Sequence, residues 1–250
     1  MRRARVQIVA LSLLWGAALG LPRPACAEDA DAFESHVAAV YGQYMRADTT
    51  IEKLEQEYLD LLRLPLSPEQ RGVVFSKMAS MYASPGGREY SDPAATYCEE
   101  ALSYPLAADV AGDVYVCWAT ALQGHYRDWR GARYPIARRR IMAPVLAGLR
   151  LVLDAGAPAQ PVQLPSVDMY SVLGPRAVFE KRHAEQMAAR KKAEALYKLH
   201  DSRRALVDAC TWLYRQPPAD PDELQRLLTQ ALPKYPDVVQ QIMTELKKGK

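Results

Sequence analysis

Apolar residues recur at helical intervals along most of the chain, and nowhere does a strict alternation run long enough to anchor a sheet. Phe33, Val37, Val40, Tyr41, Tyr44 and Met45 form one stripe over 31–46, with Glu34, Gln43 and Arg46 facing away. Ile51, Leu54, Tyr58, Leu61 and Leu62 form the next, opened by Thr49 with Glu52 placed for a capping box. Ser67 as N-cap and Pro68 at the first helical position start a third helix, which passes Val74, Met78 and Tyr82 and stops before Pro85-Gly86-Gly87. Asp92-Pro93 opens a fourth through Tyr97, Cys98, Ala101 and Leu102, ending near Pro105. A fifth covers 108–123, with Gly124 as its stop. Over 132–153, Ile136, Ile141, Val145, Leu149 and Leu153 share one side, and Pro144 kinks or divides the helix. From 155 to 175, Pro158, Pro161, Pro165 and Pro175 punctuate a stretch without helical period. Helices then follow over 176–199 and 202–215, or as one bent helix, and over 221–231 and 237–248. The fold class is all-α.

The first 27 residues are patterned differently. Arg2, Arg3 and Arg5 precede an apolar run from Val6 to Leu21, and Ala25-Cys26-Ala27 supplies small residues for a cleavage site. This is the architecture of a secretory signal peptide, so the chain is expected to be exported, periplasmic or extracellular, after cleavage near Ala27. No later segment has membrane-spanning length without charges. The expected organisation is therefore a signal peptide at 1–27, a helical region at 28–154, a Pro-rich connecting loop at 155–175 and a C-terminal helical region at 176–250. The net charge of +3 changes meaning with that division. The signal segment holds four Arg and no acid, leaving 28 basic against 29 acidic residues, which argues against a nucleic-acid binder. A composition 49% hydrophobic and 24% charged excludes global disorder.

Short helices in apparent pairs prompt a search for repeats. Ala94, Ala101 and Pro105 lie at the small and terminal positions of a second repeat helix, with Cys98 where an aromatic is usual and Tyr97 beside it. Val116-Cys117-Trp118-Ala119 and then Leu122-Gln123-Gly124-His125-Tyr126 fit a first helix and its turn, as do Met78, Ala79 and Tyr82 upstream. Over roughly 70–130 the chain thus resembles the tetratricopeptide repeat family. That resemblance implies antiparallel helix pairs stacked as a superhelix, or failing that an irregular helical bundle. It puts Cys98 on the second helix of one pair and Cys117 on the first helix of the next, a possible disulfide that would stabilise the fold by about 2–4 kcal/mol. Cys210, on the stripe Leu206, Cys210, Leu213, reads as a buried free thiol. The same register points Trp118 toward the concave surface, making it, with Tyr126, the candidate partner-binding residue.

Catalytic motifs are missing from the sequence. The four histidines form no H-E-x-x-H, no cysteine pair has zinc-knuckle spacing, and no phosphate-cradling or nucleophile-elbow glycine motif occurs. Cys117 and His125 stand eight residues apart, about 12 Å along a helix, too far for a base-activated thiolate. Arg138-Arg139-Arg140 and Arg190-Lys191-Lys192 read as solvated faces, with contact to an anionic envelope polymer or lipid headgroup as the other reading. No catalytic residue, metal or cofactor is expected. The leading expectation, implied by the resemblance, is a non-catalytic exported scaffold that binds a protein or peptide. Two alternatives stand beside it: a helical cell-envelope enzyme of hydrolase type using a carboxylate on a loop such as 155–175, and a bundle that binds a polysaccharide or small ligand.

Overall fold

A computed structural model describes residues 27–44, 49–84, 88–130, 133–165, 176–218 and 220–248. Among them are nine helices and no strand: α1 (Ala27–Tyr44), α2 (Ile51–Leu61), α3 (Pro68–Ala83), α4 (Arg88–Leu102), α5 (Ala108–His125), α6 (Tyr134–Asp154), α7 (Arg176–Arg215), α8 (Pro221–Ala231) and α9 (Pro236–Lys248). The fold is all-α. Residues 1–26, where the sequence predicts a signal peptide, lie outside the described residues.

Local chemistry explains the helix starts. Ser67 accepts from the Gln70 N–H while the Gln70 side chain accepts from the Ser67 N–H, and Pro68 occupies the first turn, where its missing donor costs nothing. Asp220 caps α8 by accepting from the Glu223 N–H, with Pro221 next in line. For α2 the cap is Thr50, which accepts from the Lys53 N–H, one residue later than the sequence suggests.

Two helix boundaries differ from expectation, at α4 and α5, and two open alternatives are decided, at α6 and α7. α4 begins at Arg88 and takes Pro93 into its body, so the proline is not its start. α5 runs one residue past Gly124 and is capped at Tyr126. α6 is continuous across the buried Pro144. Residues 176–215 form one 40-residue helix, about 60 Å long, because no Gly or Pro interrupts them.

Consecutive helices from α3 to α7 pack antiparallel. Along α4 and α5, Asp92 pairs with His125 and Cys98 shares a buried cluster with Cys117. α5 and α6 approach closely where Gly148 faces Tyr115. A Cβ on Gly148 would fall 2.5 Å from the Tyr115 Cβ, and one on Gly112 would fall 2.8 Å from Val152 Cγ1. Each odd helix also packs on the next odd helix. Asp109 meets Lys198 and Asp113 meets Ser202, so α5 and α7 run parallel. The odd helices therefore form one layer and the even helices cover one side of it, which leaves the opposite side of the odd layer open.

One aliphatic core runs from α5 through α9 across the 155–165 segment, around Leu149, Leu206, Leu213, Leu224 and Ile242. His200 Nδ1 lies 3.0 Å from the Pro158 carbonyl and Arg203 donates to that of Ala157, strapping this segment to α7. A second core, richer in aromatics, joins α1 to α4 around Leu54, Tyr58, Met78 and Tyr82.

Two side-chain assignments on α6 are corrected. Ile136 is 53% exposed, because the buried stripe runs through Ala137, Ile141, Val145 and Leu149 instead. Arg138 is 3% exposed: it donates to the Pro218 carbonyl, pairs with Glu223 at 2.8 Å and lies over the Tyr214 ring. Arg139 shares Glu223 from the surface, and Arg140 donates to the Tyr126 hydroxyl. The basic triplet is largely a clamp between α6 and α8, and only part of it is a solvated face.

Candidate functional site

The open side of α5 carries Asp109, Asp113, Val116 and Thr120, spaced three and four residues apart and therefore on one face. α3 brings Lys77 and Ser80 to the same side, α1 brings Tyr41, and α7 brings Lys198 and Ser202. The Ser202 hydroxyl donates to Asp113 Oδ1 at 2.8 Å, Lys198 Nζ lies 3.7 Å from Asp109 Oδ2, and Lys77 Nζ stands 5.4 Å from the centre of the Tyr41 ring. Three parallel helices thus bring two ammonium groups and two carboxylates into one electrostatic cluster.

Crowding shifts these groups although solvent reaches them. Desolvation pushes the Asp113 carboxyl above its usual range, with Asp109 adding to the shift, while Ser202, Lys198 and Lys77 oppose it. Lys77 is lowered, first by desolvation and then by Lys198, against Asp113 and Cys117. Burial pushes the Cys117 thiol up to about 11, with Asp113 adding to the rise, although a hydrogen bond with Ser80 and the charge of Lys77 counter it. A thiol in that state is not an activated nucleophile at neutral pH. His125 is occupied elsewhere, pairing with Asp92 at 2.8 Å.

Trp118 lies on the other side of α5. It follows Asp113 by five residues, about 140° around the helix. Half-buried, it packs against the cluster of Ala79, Cys98, Ala101 and Val114 and stacks on Tyr115 at 6.3 Å. It packs where α3 and α4 cover α5. Tyr126 is 6% exposed: its hydroxyl accepts from Arg140 and its ring meets Trp129 edge-on at 4.7 Å, so it belongs to the core. Cys98 on α4 and Cys117 on α5 share one cluster, but both are free thiols and the disulfide the resemblance implies is not formed. Cys210 is free and fully buried, its thiol pushed up to about 12 by desolvation.

Sequence reasoning missed the exposed aromatics of the open side. Trp212 on α7 is 46% exposed, and Tyr41 and Tyr197 are also exposed. Two concavities lie away from this face. One of about 520 Å³ lies between α1 and the α2–α3 turn, around Phe33, His36, Leu61, Leu64 and Gln70. The other, of about 430 Å³, lies on the surface of α8 around Asp222, Arg226 and Thr229. Neither holds a buried acid. Asp168, the acid of the 155–175 loop, lies outside the described residues. Among the described residues no cluster of His, Cys, Asp and Glu could hold a metal, and no helix is long and apolar enough to cross a membrane. No known family model, curated protein or solved structure matches the chain.

Proposed function

We propose that the chain is an exported, non-catalytic helical-repeat scaffold that holds a protein or peptide partner along the open side of its odd helices. The observation that carries this reading is the convergence on that side of Tyr41, Lys77, Asp113 and Lys198 from four separate helices, mixed in charge and open to solvent. Polar and charged side chains gathered where solvent still reaches them are the make-up of a surface that meets another chain. Export rests on the pattern of residues 1–27.

The tetratricopeptide-like reading is supported by the antiparallel pairing and by the small residues Ala94, Cys98 and Ala101, all buried between α4 and its neighbours. The period departs from that family. α1, α3 and α5 begin about 40 residues apart, against about 34 in the family.

The test is site-specific photo-crosslinking in the exporting cell, with the photoreactive residue at Thr120 on the open side or at exposed Ala147 on α6. The reading expects a discrete adduct from Thr120 and none from Ala147. Adducts of equal yield from both positions, or from Ala147 alone, would sink it.

A further inference from the structure

The free face of α7 names the chemistry of the partner, and this step rests on the peptide-binding reading above. Tyr197, Asp201, Ala205, Asp208 and Trp212 follow one another at helical spacing on the side of α7 turned away from α6. Tyr197 is 41% exposed and Trp212 46%. Among the described residues neither ring stacks on another ring or lies under a cation. One helical turn from each ring stands a carboxylate: Asp201 after Tyr197 and Asp208 before Trp212. Asp208 is exposed and enters no ion pair among the described residues, and Asp201 has only a long contact of 3.8 Å with exposed Arg204. Ala205 between them leaves the stripe unobstructed.

An aromatic face beside a carboxylate suits a basic side chain, which gains a cation–π contact and an ion pair together. The two carboxylates are seven residues apart, about 10 Å along the helix. An extended segment of polyproline II type brings side chains three residues apart to the same side, about 9 Å from each other. We infer that this stripe captures a partner segment carrying two Lys or Arg residues three positions apart, one at Tyr197 and Asp201 and the other at Trp212 and Asp208.

The probe is acetyl-Gly-Arg-Ala-Ala-Arg-Gly-amide carrying a fluorophore, titrated with the purified full chain by anisotropy, beside the counterpart with Glu in place of both Arg. Expected is binding at least about tenfold tighter for the Arg peptide, weakening as salt rises. Asp208→Asn should weaken it about threefold and Trp212→Ala about fivefold, with the thermal midpoint unchanged, since both side chains are exposed. Tyr197→Ala provides an independent variant at the other end. Equal binding of the two peptides, or variants that bind like the parent chain, overturns the proposal. A random peptide array cross-linked through Thr120 separates it from the broader reading. Array peptides captured there but indifferent to D208N and W212A overturn the basic-pair stripe alone. An array with no captured peptide overturns peptide binding itself.

Discussion

On the side covered by the even helices, aromatic rings are used up by packing. Trp118 stacks on Tyr115, which lies over Gly148, and Phe75, Tyr97 and Tyr82 stack in sequence between α3 and α4, with Tyr97 and Tyr82 both bonded to Glu55. On the open side, Tyr197 and Trp212 have no such neighbours, and the charged groups that separate them lie in solvent. Two tryptophans on neighbouring helices thus serve opposite ends. Trp118 fills a gap between helices, whereas Trp212 is presented outward. An exposed aromatic bearing the same sequence signature as a buried one is told apart only by which face its helix leaves uncovered.

Substitutions on the closed side should be costly and those on the open side cheap. Glu223→Ala leaves Arg138 buried with its Pro218 contact and no counter-charge, and should cost about 3–5 kcal/mol by urea denaturation. Gly148→Leu forces α5 and α6 apart at Tyr115 and should cost about 2–3 kcal/mol in the same measurement. Trp118→Ala removes a half-buried ring and should cost about 1–2 kcal/mol, while Trp212→Ala stays within about 0.5 kcal/mol. Equal losses for the two tryptophans would erase the distinction between the sides.

The smallest expected effect is at Asp113. Its folded-state carboxyl titrates above the unfolded value, so below the ordinary carboxylate range its contribution to stability is complete. As pH rises through the window between the unfolded and folded values, the unfolded chain gives up its proton first and stability falls. Asp113→Asn removes that decline, by well under ~1 kcal/mol because water screens the group. It is read as a flatter dependence of the thermal midpoint on pH above 4. A steeper dependence in the variant would mean that Lys77 and Lys198 govern the site instead.

Helix starts were legible because their chemistry is local: Ser67-Pro68 and Asp220-Pro221 each carry cap and proline within two residues. The small buried positions Ala94, Cys98 and Ala101 were legible from spacing. The face of Trp118 was not. The polar positions Asp109, Asp113 and Thr120 mark the open face of α5, but the register of the repeat resemblance sets Trp118 on the concave side, about 140° away from Asp113. Arg138 looked like its neighbours Arg139 and Arg140 because Glu223, the partner that buries it, lies 85 residues away. Trp212 lies outside the repeat-like segment, so the resemblance carries no information about its face.

The length of α7 has a consequence of its own. None of its described side chains from 180 to 198 is fully buried, Leu196 alone resting partly against the core, whereas from Leu199 onward the helix is part of the core and is held at His200 and Arg203 by the segment that precedes it. One unbroken ladder of backbone hydrogen bonds therefore carries two stabilities. Amides in the leading half should exchange with solvent through local fraying, and those in the trailing half only on opening of the core. Leu199 to Arg203 forms a collar, and ahead of it the last turn, with Leu196 against the core and Lys198 against Asp109, ties the leading part of the helix to its neighbours among the described residues.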